Sequence, residues 1–86
     1  MKKTSIPFAE LRRFLLGLGL GYREGRTENA IVFHRAKKDM LIFRLYRDDE
    51  DVDLGDLLST RRYLDLRGLL DEADFDAFVE RATAPA

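Results

Sequence analysis

His34 is the only histidine of this chain, and cysteine is absent. The imidazole of His34 is therefore the only side chain that ordinarily changes charge near neutral pH, and it is the only candidate general base. A solitary histidine on an open strand face is also an ordinary surface residue, so both interpretations stay open. Without cysteine the chain has neither a thiolate nucleophile nor a zinc site built on sulfur.

Basic side chains interleaved with Tyr22 and Tyr46 form a second pattern with chemical meaning. The members of this set are Arg23, Arg26, Arg35, Lys37, Lys38, Arg44 and Arg47. Aromatic rings stack on bases and cations bind phosphates, so the pattern predicts an RNA-binding sheet face. A solvated sheet face without RNA has the same composition, and this alternative stays open.

Carboxylates are concentrated in residues 48–53, where five of six positions are acidic. Such a cluster can hold a hard cation such as Mg²⁺ or Ca²⁺. The ligand spacing and the glycine of a calcium-binding loop are missing, so we interpret the segment as a solvated linker. The sequence contains no phosphate-binding loop, dinucleotide motif or pair of histidines at metal spacing. We therefore expect no metal and no cofactor.

The 86 residues correspond to one domain, residues 1–86, with frayed ends at about residues 1–5 and 83–86. The net charge of −1 conceals a separation of charge along the chain. Residues 1–47 hold eleven Lys and Arg against four acids, a net charge of +7, and residues 48–86 have a net charge of −8. A basic half can bind RNA and an acidic half can bind a basic partner, or the two halves attract each other within the fold.

Apolar spacing and turn residues predict the order α-β-β-β-α-α. The first helix is expected over residues 7–18, an edge strand over 20–25, and a hairpin from strands 30–35 and 40–47. Asp53 is expected to cap a helix that ends near Gly68. The apolar face of this helix is formed by Leu54, Leu57, Leu58 and Leu64. Asp71 is expected to cap a last short helix. The prediction is an α+β domain with helices on one face of a three-stranded antiparallel sheet.

Alternation along the hairpin separates a buried face from an open face. The side chains expected inside are Ile31, Phe33, Leu41, Phe43 and Leu45. The side chains expected on the open face are Ala30, Val32, His34, Met40, Ile42, Arg44 and Tyr46. Because apolar residues outnumber polar ones there, we predict an interface through Val32, Met40, Ile42 and Tyr46, for a homodimer or a partner protein.

Several segments resemble the HicA-type mRNA interferase toxins. The resemblance rests on IPFAELRRFL (residues 6–15), LGY (20–22), the hairpin strand ending at Phe33, LSTRRYL (58–64), GLL (68–70) and Phe75. It implies a fold like the double-stranded-RNA-binding domain, metal-independent cleavage of mRNA and inhibition by an antitoxin protein. The catalytic Gly-Ser-His of that family is missing here. When the family's aromatic residue is placed on Phe33, Ala30 takes the histidine position and follows Glu28 and Asn29.

Together these patterns favour a catalytically lapsed, toxin-like module that binds RNA or a protein. The alternative is an active metal-independent ribonuclease that uses His34. The expected partner is an antitoxin-like protein or a second copy of the chain. The longest apolar stretch, residues 14–22, is far shorter than the ~20 residues that span a bilayer, so we expect no membrane association and a cytoplasmic protein.

Overall fold

A computed structural model describes residues 2–36 and 38–83 of the chain. The elements in chain order are β1 (Lys3–Pro7), α1 (Phe8–Gly17), β2 (Arg23–Arg26), β3 (Ile31–Ala36), β4 (Asp39–Phe43), β5 (Asp51–Asp53), α2 (Leu54–Leu66) and α3 (Glu72–Thr83). Strands β2, β3 and β4 form an antiparallel sheet in that order, and β1 and β5 form a second, two-stranded sheet. The predicted α+β class with a three-stranded antiparallel sheet is confirmed. The sequence pattern predicts neither β1 nor β5.

β1 joins the start of the chain to the acidic segment. The Thr4 hydroxyl donates to the Val52 carbonyl (2.8 Å), and the Leu54 N–H donates to the Lys2 carbonyl (2.8 Å). Ile6 is completely buried. The expected fraying of residues 1–5 is therefore wrong for residues 3–5, because their backbone is paired and the neighbouring Ile6 anchors the strand in the core. Met1 lies outside the described residues.

α1 begins one residue later than predicted, since Pro7 occupies the N-cap position instead of the first helical turn. Gly19 and Gly21 follow the helix with φ of 73° and 89°, conformations that glycine adopts without a steric penalty. They turn the chain, so β2 begins at Arg23 and not at residue 20. The helix buries three side chains: Phe8, Leu11 and Leu15.

β3 and β4 form the predicted hairpin. Ile31 and Phe33 are completely buried, which confirms the choice of core face for β3. β4 ends at Phe43 and not at residue 47. Leu45 is 42% exposed, contrary to the prediction, because the alternation of faces stops where the strand stops.

α2 follows Asp53 and ends before Gly68, whose φ of 68° suits a helix terminus. Asp53 occupies the predicted N-cap position, but its side chain makes no capping hydrogen bond. Its carboxylate instead pairs with Lys3 and Arg44. The predicted apolar face of α2 is partly wrong, since Leu58 is 51% exposed.

α3 begins as predicted, because the Asp74 N–H donates to the Asp71 carboxylate (2.9 Å). The helix packs against α1 through stacked rings of Phe14 and Phe78, whose centroids lie 4.0 Å apart. It ends at Thr83, and the remaining predicted frayed residues, 84–86, lie outside the described part of the chain. Within residues 2–36 and 38–83, no helix combines the length and the apolar character that a membrane span requires.

Candidate functional site

The open face of the three-stranded sheet brings together four of the predicted site residues: Val32, His34, Met40 and Ile42. Val32 lies directly opposite Ile42, and His34 lies opposite Met40. Ile42 is 66% exposed and Met40 is 44% exposed, whereas Val32 is half-buried. Large apolar side chains therefore lie next to each other on a sheet face that no element of the described residues covers, and we refer to these four residues as the open face.

Tyr46, the remaining predicted interface residue, lies in the core instead of on the open face. It is only 2% exposed, and its ring stacks on the Phe8 ring with centroids 5.1 Å apart. The Tyr46 hydroxyl donates to Asp56 (2.5 Å) and accepts from the Asp53 N–H (3.0 Å). Burial raises the pKa of Tyr46 to about 12, and the bond to Asp56 adds to this effect. The prediction was wrong because it extended the alternation of β4 beyond Phe43.

Most of the predicted RNA-binding cations are already paired with carboxylates. The ion pairs are Arg26 with Glu24, Arg35 with Asp39, Arg44 with Glu50 and Asp53, and Arg47 with Asp49. Arg23 and Lys38 take part in no ion pair within the described ranges, and Lys37 lies outside them. The structure therefore does not assemble the seven predicted cations into one uncompensated basic surface.

The acidic segment 48–53 is held against the basic first half of the chain and is not a freely solvated linker. Arg12 pairs with Asp48, and Lys3 pairs with Glu50 (3.2 Å). Glu50 also accepts from Arg44 (2.8 Å) and from a backbone N–H, and these bonds lower its pKa to about 2. Among the described residues, no group of three or more carboxylate or imidazole side chains is placed to hold a metal ion.

His34 is exposed on β3, with Arg23 opposite on β2 and Met40 opposite on β4. Within residues 2–36 and 38–83, no hydrogen bond or ion pair engages its imidazole. General-base catalysis requires a partner or substrate atom within hydrogen-bond reach, ~3 Å. The described geometry gives His34 a basic neighbour but no group that would orient it.

Asp39 forms a buried polar cluster that the sequence pattern does not predict. Its carboxylate, 3% exposed, accepts from the hydroxyls of Tyr22 (3.1 Å) and Tyr63 (2.6 Å) and from Arg35 (2.6 Å). Burial opposes ionisation of Asp39, but these three hydrogen bonds outweigh it and hold the pKa below its ordinary value. From the sequence, residues 36–39 are predicted only as a polar turn. The cluster could not be predicted, because Tyr22 and Tyr63 are distant from Asp39 in the sequence.

A groove of about 250 Å³ separates β4 from α2. Its walls are residues 40–43 of β4 and Asp56, Ser59, Thr60 and Tyr63 of α2. The Tyr63 hydroxyl crosses one end of the groove and accepts the Met40 N–H (3.0 Å). We call this feature the β4–α2 groove; it adjoins the open face along the free edge of the sheet.

Searches against family models, curated proteins and solved structures found no match to this chain.

Proposed function

We propose that the chain is a noncatalytic protein-interaction module related to the HicA-type toxins, and that it binds a partner protein through the open face. The observation that carries the proposal is the exposure of Ile42 and Met40 on an uncovered sheet. Adjacent exposed apolar side chains on a protein surface commonly mark a binding site. The succession of a helix, three antiparallel strands and a further helix supports the relation to these toxins. The absence of cysteine suits a reducing compartment, and we place the module in the cytoplasm.

The ion pairs favour a protein partner over RNA. Non-specific binding of a single strand depends on several simultaneous phosphate contacts by Lys or Arg. Arg35 and Arg44 already bond to carboxylates at 2.6 and 2.8 Å, and phosphate would have to displace those partners. Of the predicted set, Arg23 and Lys38 are the cations without a carboxylate in the described parts of the chain.

The sequence also favours a lapsed rather than an active nuclease. Ala30 occupies the position of the family's catalytic histidine, and an alanine methyl group neither accepts nor donates a proton. His34 lies four positions after Ala30, which corresponds to ~13 Å in an extended chain. A base at that distance cannot serve the substrate atom that the family's histidine would serve.

The first experiment compares partner recovery by three forms of the chain from its own host: wild type, Ile42→Asp and Leu58→Asp. Leu58 is a matched control, because it is an exposed leucine on α2 outside the open face. We expect one protein to be retained by the wild type and by Leu58→Asp and to be lost from Ile42→Asp. Its direct binding is then measured with purified components by calorimetry.

The second experiment incubates the purified chain with labelled single-stranded RNA in the absence of divalent metal. We expect intact RNA and no binding at low salt. Metal-independent cleavage that disappears in His34→Ala would overturn the proposal in favour of the ribonuclease. Equal loss of the partner in Ile42→Asp and Leu58→Asp would also overturn it, because the open face would then have no special role.

A further inference from the structure

The free edge of β4 carries backbone groups that point away from the sheet. β4 has one neighbour, β3, and its other side has no strand among the described residues. The Met40 N–H donates to Tyr63 on α2, so the backbone of Met40 faces outward. Backbone direction alternates along an antiparallel strand, so the N–H and C=O of Ile42 face outward as well. Neither group has a hydrogen-bond partner in residues 2–36 and 38–83.

The β4–α2 groove leaves room beside those backbone groups. A strand added to β4 would lie about 4.8 Å from it, beside Ile42 and on the side of Ser59, and it would end before Tyr63, whose hydroxyl already bonds to the Met40 N–H. Alternate side chains of that strand would lie on the open face beside Met40 and Ile42. Peptide recognition by strand addition has these two components: backbone hydrogen bonds provide affinity, and contacts to alternate side chains provide specificity.

The charges at one end of the groove indicate what the added strand carries. The Arg67 guanidinium lies over the Tyr63 ring, 4.8 Å from its centroid, and donates to the Lys38 carbonyl (3.2 Å). Neither Arg67 nor Lys38 has a carboxylate partner in the described ranges. At the opposite end, Asp56 is already bonded to Tyr46. An acidic side chain next to Arg67 and Lys38 would therefore complement the groove.

We propose that the β4 edge binds an extended segment of the partner protein as a fourth strand. This segment has alternating apolar side chains and an acidic residue at the end that lies beside Tyr63 and Arg67. The inference rests on the proposed function and specifies how the partner is held. The segment is recognised through the Ile42 N–H and C=O, the Met40 C=O and the side-chain charges of Arg67 and Lys38.

A second copy of this chain fits the edge less well. Two-fold pairing of β4 with β4 would bring both α2 helices to the same side of the same seam. Tyr63 of α2 contacts the outward-facing Met40 N–H, so α2 borders this edge and two copies of the helix would compete for the space along one seam. A single extended segment without its own flanking helix avoids this overlap.

The test uses blocked synthetic hexapeptides and amide NMR of the ¹⁵N-labelled chain. The probes are Glu-Val-Thr-Val-Thr-Val and its reverse, since a fourth strand can run in either direction. We expect one of them to shift the Ile42 and Arg67 amides and to slow hydrogen exchange at Ile42. Replacing the glutamate of the peptide with lysine should weaken binding about fivefold, and Arg67→Glu should invert that preference. A peptide N-methylated on alternate residues controls for the backbone bonds and should not bind.

Failure of both peptides to perturb the Ile42 amide at millimolar concentration would overturn the strand addition. The same conclusion follows if the partner recovered by the wild-type chain binds Ser59→Arg normally, because this substitution fills the groove and leaves the open face unchanged. If Val32→Asp loses partner binding while Ser59→Arg retains it, the open face binds the partner but the β4 edge does not. The proposed function would then stand, and the strand addition would be rejected. The HSQC spectrum of each variant establishes that it is folded.

Discussion

Asp39 carries a buried carboxylate that receives hydrogen bonds from Tyr22, Arg35 and Tyr63. These partners come from three parts of the chain: the segment before β2, the end of β3 and the C-terminal half of α2. The cluster therefore fixes α2 against the hairpin and sets the position of Tyr63, which forms one end of the β4–α2 groove. Its role in the candidate site is to position the groove.

Asp39→Asn should lower the free energy of unfolding by about 2–3 kcal/mol. The substitution removes the charge and places an amide N–H₂ donor among the hydroxyl and guanidinium donors that surround residue 39. Hydrogen bonds to charged groups contribute about 1.5–3 kcal/mol. Tyr22→Phe removes one of the three bonds and should cost about 1 kcal/mol. Urea unfolding measures both. Asp65→Asn, at an exposed position on α2, is the control and should change stability by less than about 0.5 kcal/mol.

Single residues were predicted well where one strand decides their environment. Ile31 and Phe33 follow from alternation and size, and both are buried. Asp39 and Tyr46 could not be predicted in this way, since their partners are remote in sequence. Tyr63 bonds to Asp39 across 24 positions, and such a contact leaves no periodic signal.

At the scale of elements, the pairing of β1 with β5 is the main departure from the predicted order. Residues 3–7 contain a single large apolar side chain, Ile6, and residues 51–53 are only three positions long and carry two acids, so neither segment gives a strand signal by apolar alternation. Each segment forms a strand only because it pairs with the other. This pairing is a tertiary contact, and the local sequence does not specify it. The helices, by contrast, were predicted with the correct order and nearly correct ends because apolar spacing, Gly68 and the Asp71 cap are local signals.

Removing residues 2–5 should lower the melting temperature by about 4–8 °C or more. The deletion eliminates the Thr4–Val52 and Leu54–Lys2 hydrogen bonds and the ion pairs of Lys3, and a loss of about 1 kcal/mol shifts the midpoint of a domain of this size by that amount. Calorimetry gives the melting temperature. Ser5→Ala, which changes an exposed side chain of the same strand, should leave it unchanged. An unchanged midpoint in the deletion would show that the segment is frayed, as the sequence pattern suggests.

For the whole molecule, the acidic and basic halves meet within the fold. Lys3, Arg12 and Arg44 from the first half pair with carboxylates of residues 48–53. Of the three interpretations of the charge separation, the ion pairs directly support attraction between the halves. The charge totals could be read from the sequence, but the particular pairs could not, because they depend on β1 bringing Lys3 to β5.

Stability should fall as the pH is lowered from about 4 towards 2. The Arg44 hydrogen bond lowers the pKa of Glu50 to about 2, and Asp48, paired with Arg12, also has a lowered pKa. In the unfolded chain such groups titrate near pH 4, so their contribution is complete above about pH 4 and is lost as they are protonated in the folded state. Urea unfolding at several pH values measures the effect. Glu50→Gln should reduce the dependence of the unfolding free energy on pH between about 4 and 2. The same pH dependence in the variant and the wild type would contradict the role given to Glu50.

The β1–β5 sheet also has a consequence for synthesis of the chain. The Thr4–Val52 bond spans 48 positions, so β1 has no strand to pair with until β5 has been translated. At about 5–20 residues per second, Ile6 remains without its final neighbours for roughly 2–10 s after it is made. During that interval the nascent chain exposes an apolar side chain that the finished fold buries completely.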